Sequence, residues 1–170
     1  LVWSQLALAF PPRIRISRIV AWPTGEKKTL DYLRLFPGLP ITVQAHATNV
    51  GRHAAHITES DCRLGWYPGP VPLGDEQVRR GEEPRRLTGH KPGEPLTLAP
   101  GDHARWKFDD TVPSDYLDGD DTPRLSLFVI GRVMFTDQSI RRHATYFCRC
   151  FDADTQRFVA VDDPDYESEE

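Results

Sequence analysis

The 170-residue sequence predicts an all-β fold, an antiparallel β-sandwich of about seven strands after a short N-terminal helical segment. Three observations predict it. Apolar residues recur at every second position through most of the chain, and no long stretch of 3.6-residue period follows residue 12. Fifteen prolines and twelve glycines supply many turns without approaching a collagen-like or low-complexity composition. Apolar residues at 39% and charged residues at 27% are ordinary for a globular chain, and at this length roughly 70% of the unfolded surface can be buried.

The N-terminal run Leu1–Phe10 has eight apolar residues in ten, whereas a bilayer span needs about 20. Three readings fit it: the end of a transmembrane helix, a helix or strand packed on the domain, or a signal-peptide remnant. Pro11-Pro12 ends a helix in each. Arg13, Arg15 and Arg18 follow, and beside a span they would favour the cytoplasmic side for the remainder. Residues 13–22 (RIRISRIVAW) read as a first strand. Ile41 to Val50 alternates, with Ile41, Val43, Ala45 and Ala47 on a buried face and Thr42, Gln44, His46 and Thr48 on a wet one. Asn49-Val50-Gly51-Arg52 is a turn. Ala55 to Tyr67 is the next strand, with Thr58, Ser60, Cys62, Leu64 and Trp66 on one face.

Gly69 to Pro95 holds five Gly, five Pro and ten charged residues in 27 positions and reads as a long, flexible, protruding loop. Leu96-Thr97-Leu98 leads into a turn at Ala99-Pro100-Gly101-Asp102. Ala104, Trp106 and Phe108 then alternate with Arg105 and Lys107 on a strand with one wet face. Val112 to Leu117 suits a short helical turn. Arg124 to Thr136 is apolar on both faces, with Leu125, Leu127, Val129, Val133 and Phe135 on one and Phe128, Ile130 and Met134 on the other, so it should be central and covered on both sides. Thr136-Asp137-Gln138-Ser139 turns into a partner strand from Ile140 to Phe151, and Phe158 to Val161 adds a short edge strand. The domain thus runs over 13–161, between the apolar segment 1–12 and a tail, 162–170, that carries six acids and no base. Without the tail the chain has 21 basic and 19 acidic residues, a near-neutral body that argues against a nucleic-acid partner.

Candidates for chemistry are thin. His53 and His56, three apart, face opposite sides of a continuous strand; with His46 and His143 they complete no familiar ligand spacing. Cys148 and Cys150 share a strand face, Cys62 is remote, and reduced thiols fit better than a disulfide framework or a thiolate metal site. Ser139 and His143 lie four apart without a nucleophile elbow. Asp109, Asp110, Asp115, Asp118, Asp120 and Asp121 form an acidic region lacking the spacing of a calcium loop. Trp66-Tyr67-Pro68 could stack a carbohydrate or peptide, although Trp66 and Trp106 read as core. No nucleotide-binding loop is present. The sequence assigns no catalytic residue, metal site or cofactor.

Three stretches, Ile41-Thr42-Val43 to Thr48-Asn49-Val50-Gly51, Leu98-Ala99-Pro100-Gly101-Asp102 and Gly131-Arg132-Val133-Met134-Phe135-Thr136-Asp137, resemble uncharacterised bacterial membrane-anchored proteins with an immunoglobulin-like β-sandwich domain. The resemblance covers roughly residues 13–151. After Asp137 the chain departs from that pattern, since no aromatic-Gly pair follows. It implies an immunoglobulin-like architecture and a membrane tether but no activity. The resulting expectation is a non-enzymatic head of a membrane-anchored protein, tethered by an N-terminal helix, more cytoplasmic than extracytoplasmic, and binding or scaffolding a protein partner. The alternatives are a metal-dependent enzyme or hydrolase lacking recognisable motifs, and a carbohydrate- or peptide-binding module.

Overall fold

The computed structural model describes residues 11–26, 33–68, 84–116, 125–161 and 168–169. These form nine strands among the described residues: β1 (Ile14–Pro23), β2 (Pro40–Asn49), β3 (Ala55–Pro68), β4 (Leu96–Leu98), β5 (His103–Thr111), β6 (Leu125–Thr136), β7 (Arg142–Asp152), β8 (Arg157–Ala160) and β9 (Ser168–Glu169). All pairings between them are antiparallel. One sheet runs β1-β2-β5, and the other runs β4-β3-β6-β7-β8 with β9 also on β7. The described residues are all-β, as expected.

A single hydrophobic cluster joins the inner faces of the two sheets. Ile14, Ile41, Val43, Ala45, Trp106 and Phe108 come from the first, and Ile57, Leu64, Leu127, Val129, Val133 and Phe147 from the second. Cross-strand partners share a face, so Ala45↔Trp106 and Val43↔Phe108 set the inner face of the first sheet. β6 is apolar on both sides because each side has a cover. Its outward face packs Phe128 with Tyr67, Cys148 and Val161 in a second cluster. Gly131 explains how Phe147 enters the main core. A Cβ there would stand 2.6 Å from the Asp61 carbonyl oxygen and 2.7 Å from the Phe147 ring.

The sequence turns interlock at one end of the molecule. Asn49 is fully buried; its Nδ2 donates to the carbonyls of His53 (2.8 Å) and Leu98 (3.0 Å), and its Oδ1 accepts from the amides of Gly51 (3.0 Å) and Arg13 (3.3 Å). The Ala99–Asp102 turn closes on the same residue, with the Gly101 amide donating to the Asn49 carbonyl (2.8 Å) and the Asn49 amide to that of Asp102 (3.0 Å). A Cβ at Gly51 would lie 2.6–2.7 Å from backbone atoms of Pro11, Pro12 and Arg13, so only glycine lets the incoming chain cross here. This Asn49 end holds the starts of β1, β5 and β7. The opposite, Tyr116 end holds the start of β6 and the ends of β5 and β7.

Several expectations need correction. No helix occurs among the described residues, and the helical segment expected over 1–10 lies outside them. The short helical turn expected over Val112 to Leu117 is one hydrogen-bonded turn, Tyr116 amide to Pro113 carbonyl at 3.0 Å, and Leu117 lies outside the described residues. A bulge between Ile57 and Glu59 moves Thr58 off the inward face, while Ser60, Cys62, Leu64 and Trp66 keep it. The wet face of β2 is half dry. Thr42 and Gln44 are each only 3% exposed; buried Trp22 stands opposite Thr42 on β1, and the Thr42 hydroxyl donates to Asp109 at 2.6 Å. Ile140 sits in the hairpin turn at φ 61°, largely exposed, so β7 starts two residues later than expected. Within the acidic tail, Ser168–Glu169 pairs with Thr145 and Tyr146 of β7.

Candidate functional site

The largest departure from the sequence reading lies in Gly69 to Pro95. Residues 69–83 are outside the described set, but 85–90 dock on the body instead of protruding, and 91–95 stay exposed. Arg85 exchanges both backbone hydrogen bonds with Cys62 of β3 (3.0 and 2.8 Å), the Thr88 amide donates to the Arg105 carbonyl of β5 (2.8 Å), and the Arg85 guanidinium donates to the Lys107 carbonyl (3.0 Å). The strap therefore joins the edge of one sheet to the edge of the other. Leu87, 1% exposed, fills the core between them. Two apolar or β-bridging residues suffice to dock a segment whose average composition is that of a loop.

Ser60 and His90 fasten the strap. Both are buried, the Ser60 Oγ lies 2.5 Å from His90 Nδ1, and it also accepts from the Leu87 amide at 3.1 Å. The Ser60 hydroxyl has one hydrogen left to donate, and it can donate to Nδ1 in the neutral ring tautomer that carries its proton on Nε2. Burial, then the Arg86 guanidinium, holds the His90 pKa below the ordinary value, against smaller raising effects of Glu94 and Asp61. A polar pocket of about 310 Å³ opens beside the pair, lined by Glu59, Asp61, Arg86, Lys91 and Arg132 among others. Arg132 pairs there with Glu59 (3.1 Å) and Asp61 (3.3 Å). Sequence reading missed this pair, since thirty residues and no motif separate its members.

The predicted candidates scatter. His46 lies on the outward face of the first sheet, its ring 5.9 Å from that of His103; His56 bonds Thr97 Oγ1 at 2.9 Å; His53 sits in the turn after β2. His143 stacks on Phe135 and pairs through Nε2 with Asp137 Oδ2 at 3.0 Å. His56 and His143 face opposite sides of their sheet, as the pairings His56↔Thr136 and Phe135↔His143 require. Ser139 contributes its amide to Asp137 Oδ1 (2.8 Å), as does Arg141 (3.0 Å), so Asp137 organises the hairpin. Burial alone would raise the Asp137 pKa, but His143 and these two amides outweigh it and the net shift is downward. Among the described residues no three His, Cys, Asp or Glu side chains converge as metal ligands would.

All three cysteines are free thiols. Cys62 pairs with Gly131 and faces the shared core, whereas Cys148 and Cys150 face the outer side, so the trio cannot meet. Burial pushes the Cys148 thiol up to about 12 and the Cys62 thiol well above its ordinary value. Of the acidic region, Asp109 accepts from Thr42, Asp110 accepts from Trp66 Nε1 (3.2 Å), and Asp118, Asp120 and Asp121 lie outside the described residues. Trp66 and Trp106 are core, 2% and 0% exposed. Tyr67 is core too, and its hydroxyl lacks a hydrogen-bond partner among the described residues.

Two surface features remain open. At the Tyr116 end a cleft of about 530 Å³, within the range of ligand-binding pockets, is walled by Leu35, Tyr116, Leu125, Phe151 and Val159, with Asp152 and Asp154 at its lining. On the outward face of the first sheet the register stacks four rows: Arg15–Thr48–His103, Arg18–His46–Arg105, Val20–Gln44–Lys107 and Trp22–Thr42–Asp109. Arg15, Arg18, His103, Arg105 and Lys107 are all exposed.

No protein-family model and no curated protein matches the chain. Among solved structures it is similar to the ApaA protein of Bordetella pertussis, at 14% identity and a TM-score of 0.42 over 82% of this chain and 92% of that one. It is also similar to the structural-genomics target SoR45 (12%, TM-score 0.37, 84% and 87%) and to the sporulation control protein Spo0M of Bacillus subtilis (20%, TM-score 0.34, 77% and 48%). At such TM-scores these likenesses carry no argument about fold or activity.

Proposed function

We propose that this chain is the immunoglobulin-like head of a membrane-anchored protein and that it binds a protein partner without catalysing a reaction. The strand order supports the architecture. With β1, β2 and β5 as strands A, B and E and β3, β6 and β7 as C, F and G, β4 departs from the constant-type arrangement by joining the C edge instead of the E edge, and β8 and β9 are additions on the G strand. The observation that carries the functional reading is polarity along the strands. The apolar Leu1–Phe10 run leads through Pro11-Pro12 into the Asn49 end, while the cleft opens at the Tyr116 end. A tether at one end and a recognition cleft at the other is the layout of a head that presents a binding surface away from its anchor. Apolar walls with two carboxylates suit a partner segment that combines an apolar and a basic side chain.

The reactive groups support the same reading, because their geometry is structural: Ser60 and His90 fasten the strap, Asp137 and His143 build the hairpin, and burial keeps the Cys62 and Cys148 thiols protonated. A photo-crosslinking residue at Val159, 42% exposed beside the cleft, should give one discrete adduct that excess unmodified chain competes away. The same residue at Val50, 50% exposed at the Asn49 end, should give none. Equal labelling at both sites would refute the cleft as the binding surface. Alkaline carbonate should leave the native protein in the membrane pellet, and its release would refute the anchor. Stoichiometric zinc or calcium in the purified protein would refute the non-catalytic reading.

A further inference from the structure

We infer that the outward face of the β1-β2-β5 sheet is a docking surface for an anionic phospholipid leaflet, holding the domain flat against the membrane that its N-terminal segment enters. This rests on the tethered-head reading and adds a second, electrostatic membrane contact to it. Three observations converge. The first is assembly: Arg15 and Arg18 come from β1, Arg105 and Lys107 from β5 some ninety residues later, and the ladder register alone places them on one face around His46 and His103. With strands about 4.8 Å apart and same-face residues about 7 Å apart along each strand, the cations occupy roughly 10 by 14 Å. Within such a patch each lies about one Debye length from the next, so they act together on a charged surface.

The second observation is the gradient. The three rows nearest the Asn49 end carry the five exposed cationic or imidazole side chains and no carboxylate. The only carboxylate on the ladder positions of this face, Asp109, is in the fourth row and accepts a hydrogen bond from Thr42. The positive half is therefore the half nearest the place where the chain enters. The third is anchoring: the Arg13 amide is held by Asn49 Oδ1, and the Val50 amide donates to the Arg13 carbonyl (2.8 Å), so the start of β1 is fixed against the Asn49 turn. A three-stranded face whose two outer strands expose basic side chains on either side of β2, next to a tether, fits the headgroup plane of phosphatidylserine-rich bilayers, where each nearby Lys or Arg contributes additively.

The test uses the full 170-residue chain and sedimented vesicles of phosphatidylcholine alone or with about 30% phosphatidylserine, the range in which polybasic surfaces respond. Wild type should bind the serine-containing vesicles at least about tenfold more tightly, with the increment lost toward 0.5 M salt, a concentration that shortens screening to about 4 Å. The double reversal Arg105→Glu/Lys107→Glu, both on exposed strand positions, should erase the increment and leave binding to neutral vesicles unchanged. Arg18→Glu should do the same in part, and Lys91→Glu/Arg157→Glu, with the same net charge change on other surfaces, should retain it. Thermal unfolding of each variant checks that the fold persists. An unchanged increment in both Arg105→Glu/Lys107→Glu and Arg18→Glu overturns the face while leaving the tether standing. Release of the native protein from its membrane by alkaline carbonate overturns the tether reading instead. Binding of a duplex oligonucleotide that is lost on the same reversals, without a serine increment, overturns the lipid assignment in favour of nucleic acid.

Discussion

Replacing Asn49 should be among the most damaging single changes in this protein, although the residue has no aliphatic bulk. Its side chain makes four hydrogen bonds, two as donor and two as acceptor, at a position with no exposure. A typical intramolecular hydrogen bond contributes about 1 kcal/mol net, and a buried group left without a partner costs about 1–3 kcal/mol. Asn49→Ala strands the Leu98 carbonyl in the interior and weakens three part-buried contacts, so a loss of about 3–4 kcal/mol is expected against a total of roughly 5–15. Asn49→Asp keeps the shape and the acceptor but turns a donating amide into a carboxylate facing two carbonyl oxygens. Its cost at pH 7 should equal or exceed that of alanine. Because the folded state would favour the protonated acid, its pKa is raised there. The Asp variant should accordingly recover toward wild type as pH falls through that raised value. Urea unfolding at matched m-value reads both effects, with Val50→Ala as the neutral control. A loss below about 1 kcal/mol for both substitutions would refute the bolt that ties β2, the Pro-Gly-Asp turn and the incoming chain together.

Val129→Asp should abolish folding, since Val129 is fully buried in the shared core and an unpaired carboxylate there costs several kcal/mol; a native melting curve would contradict the β6 register. Thr42→Asp should cost about 2 kcal/mol or more, because it sets a carboxylate at a buried position against the Asp109 carboxylate, whereas Thr155→Asp, on an exposed turn, should cost less than about 0.5; equal values by urea unfolding would refute the burial of Thr42. Stability should decline on acidification in two stages. His90, with its folded pKa below the ordinary 6.5, leaves stability intact above 6.5 and withdraws it as pH falls through that value toward its folded pKa, because the unfolded chain takes up the proton first; Asp137, also depressed, withdraws its share only below the ordinary carboxylate range. A His90→Gln variant without a flatter upper limb would refute the first stage. Tyr67→Phe should be neutral or stabilising by up to about 1 kcal/mol, since it deletes a buried hydroxyl without a partner, and a loss above 1 would reveal a partner for it.

What was legible in the sequence was whatever a two-residue period records. Ile41, Val43, Ala45 and Ala47 alternate, and all four are buried; Leu127, Val129, Val133 and Phe135 repeat the pattern on β6. The period says which residues share a face, not what lies on top of that face. Thr42 therefore reads as wet although β1 sets the buried Trp22 opposite it, a fact that exists only once the strands pair. The strap was misread for a related reason. Charge and Pro/Gly content average over 27 positions, while docking depends on Leu87, the Arg85 backbone and one Ser–His contact. Composition cannot report three residues. The basic face was half visible: Arg105 and Lys107 alternated outward, and Arg15 and Arg18 stood in a basic cluster, but nothing short of the β1-β2-β5 order joins them.

That order also links the tether to the face. Asn49 receives the Arg13 amide on one atom of its side chain and, on the other, donates to the carbonyl that ends β4, so the point where the chain enters is fixed relative to both sheets. Arg15 and Arg18 are two and five residues beyond that point, on a strand zipped to β2 along its whole length apart from the bulge between Ile16 and Arg18. Their guanidinium groups consequently share a rigid base with Arg105 and Lys107. Loosening Asn49 would free the first rows of β1 from that base, so Asn49→Ala, at temperatures where it remains folded, should bind serine-containing vesicles more weakly although it removes no charge. A charge-only account of the face predicts no change in that variant, and the comparison therefore separates an organised docking surface from a loose collection of cations.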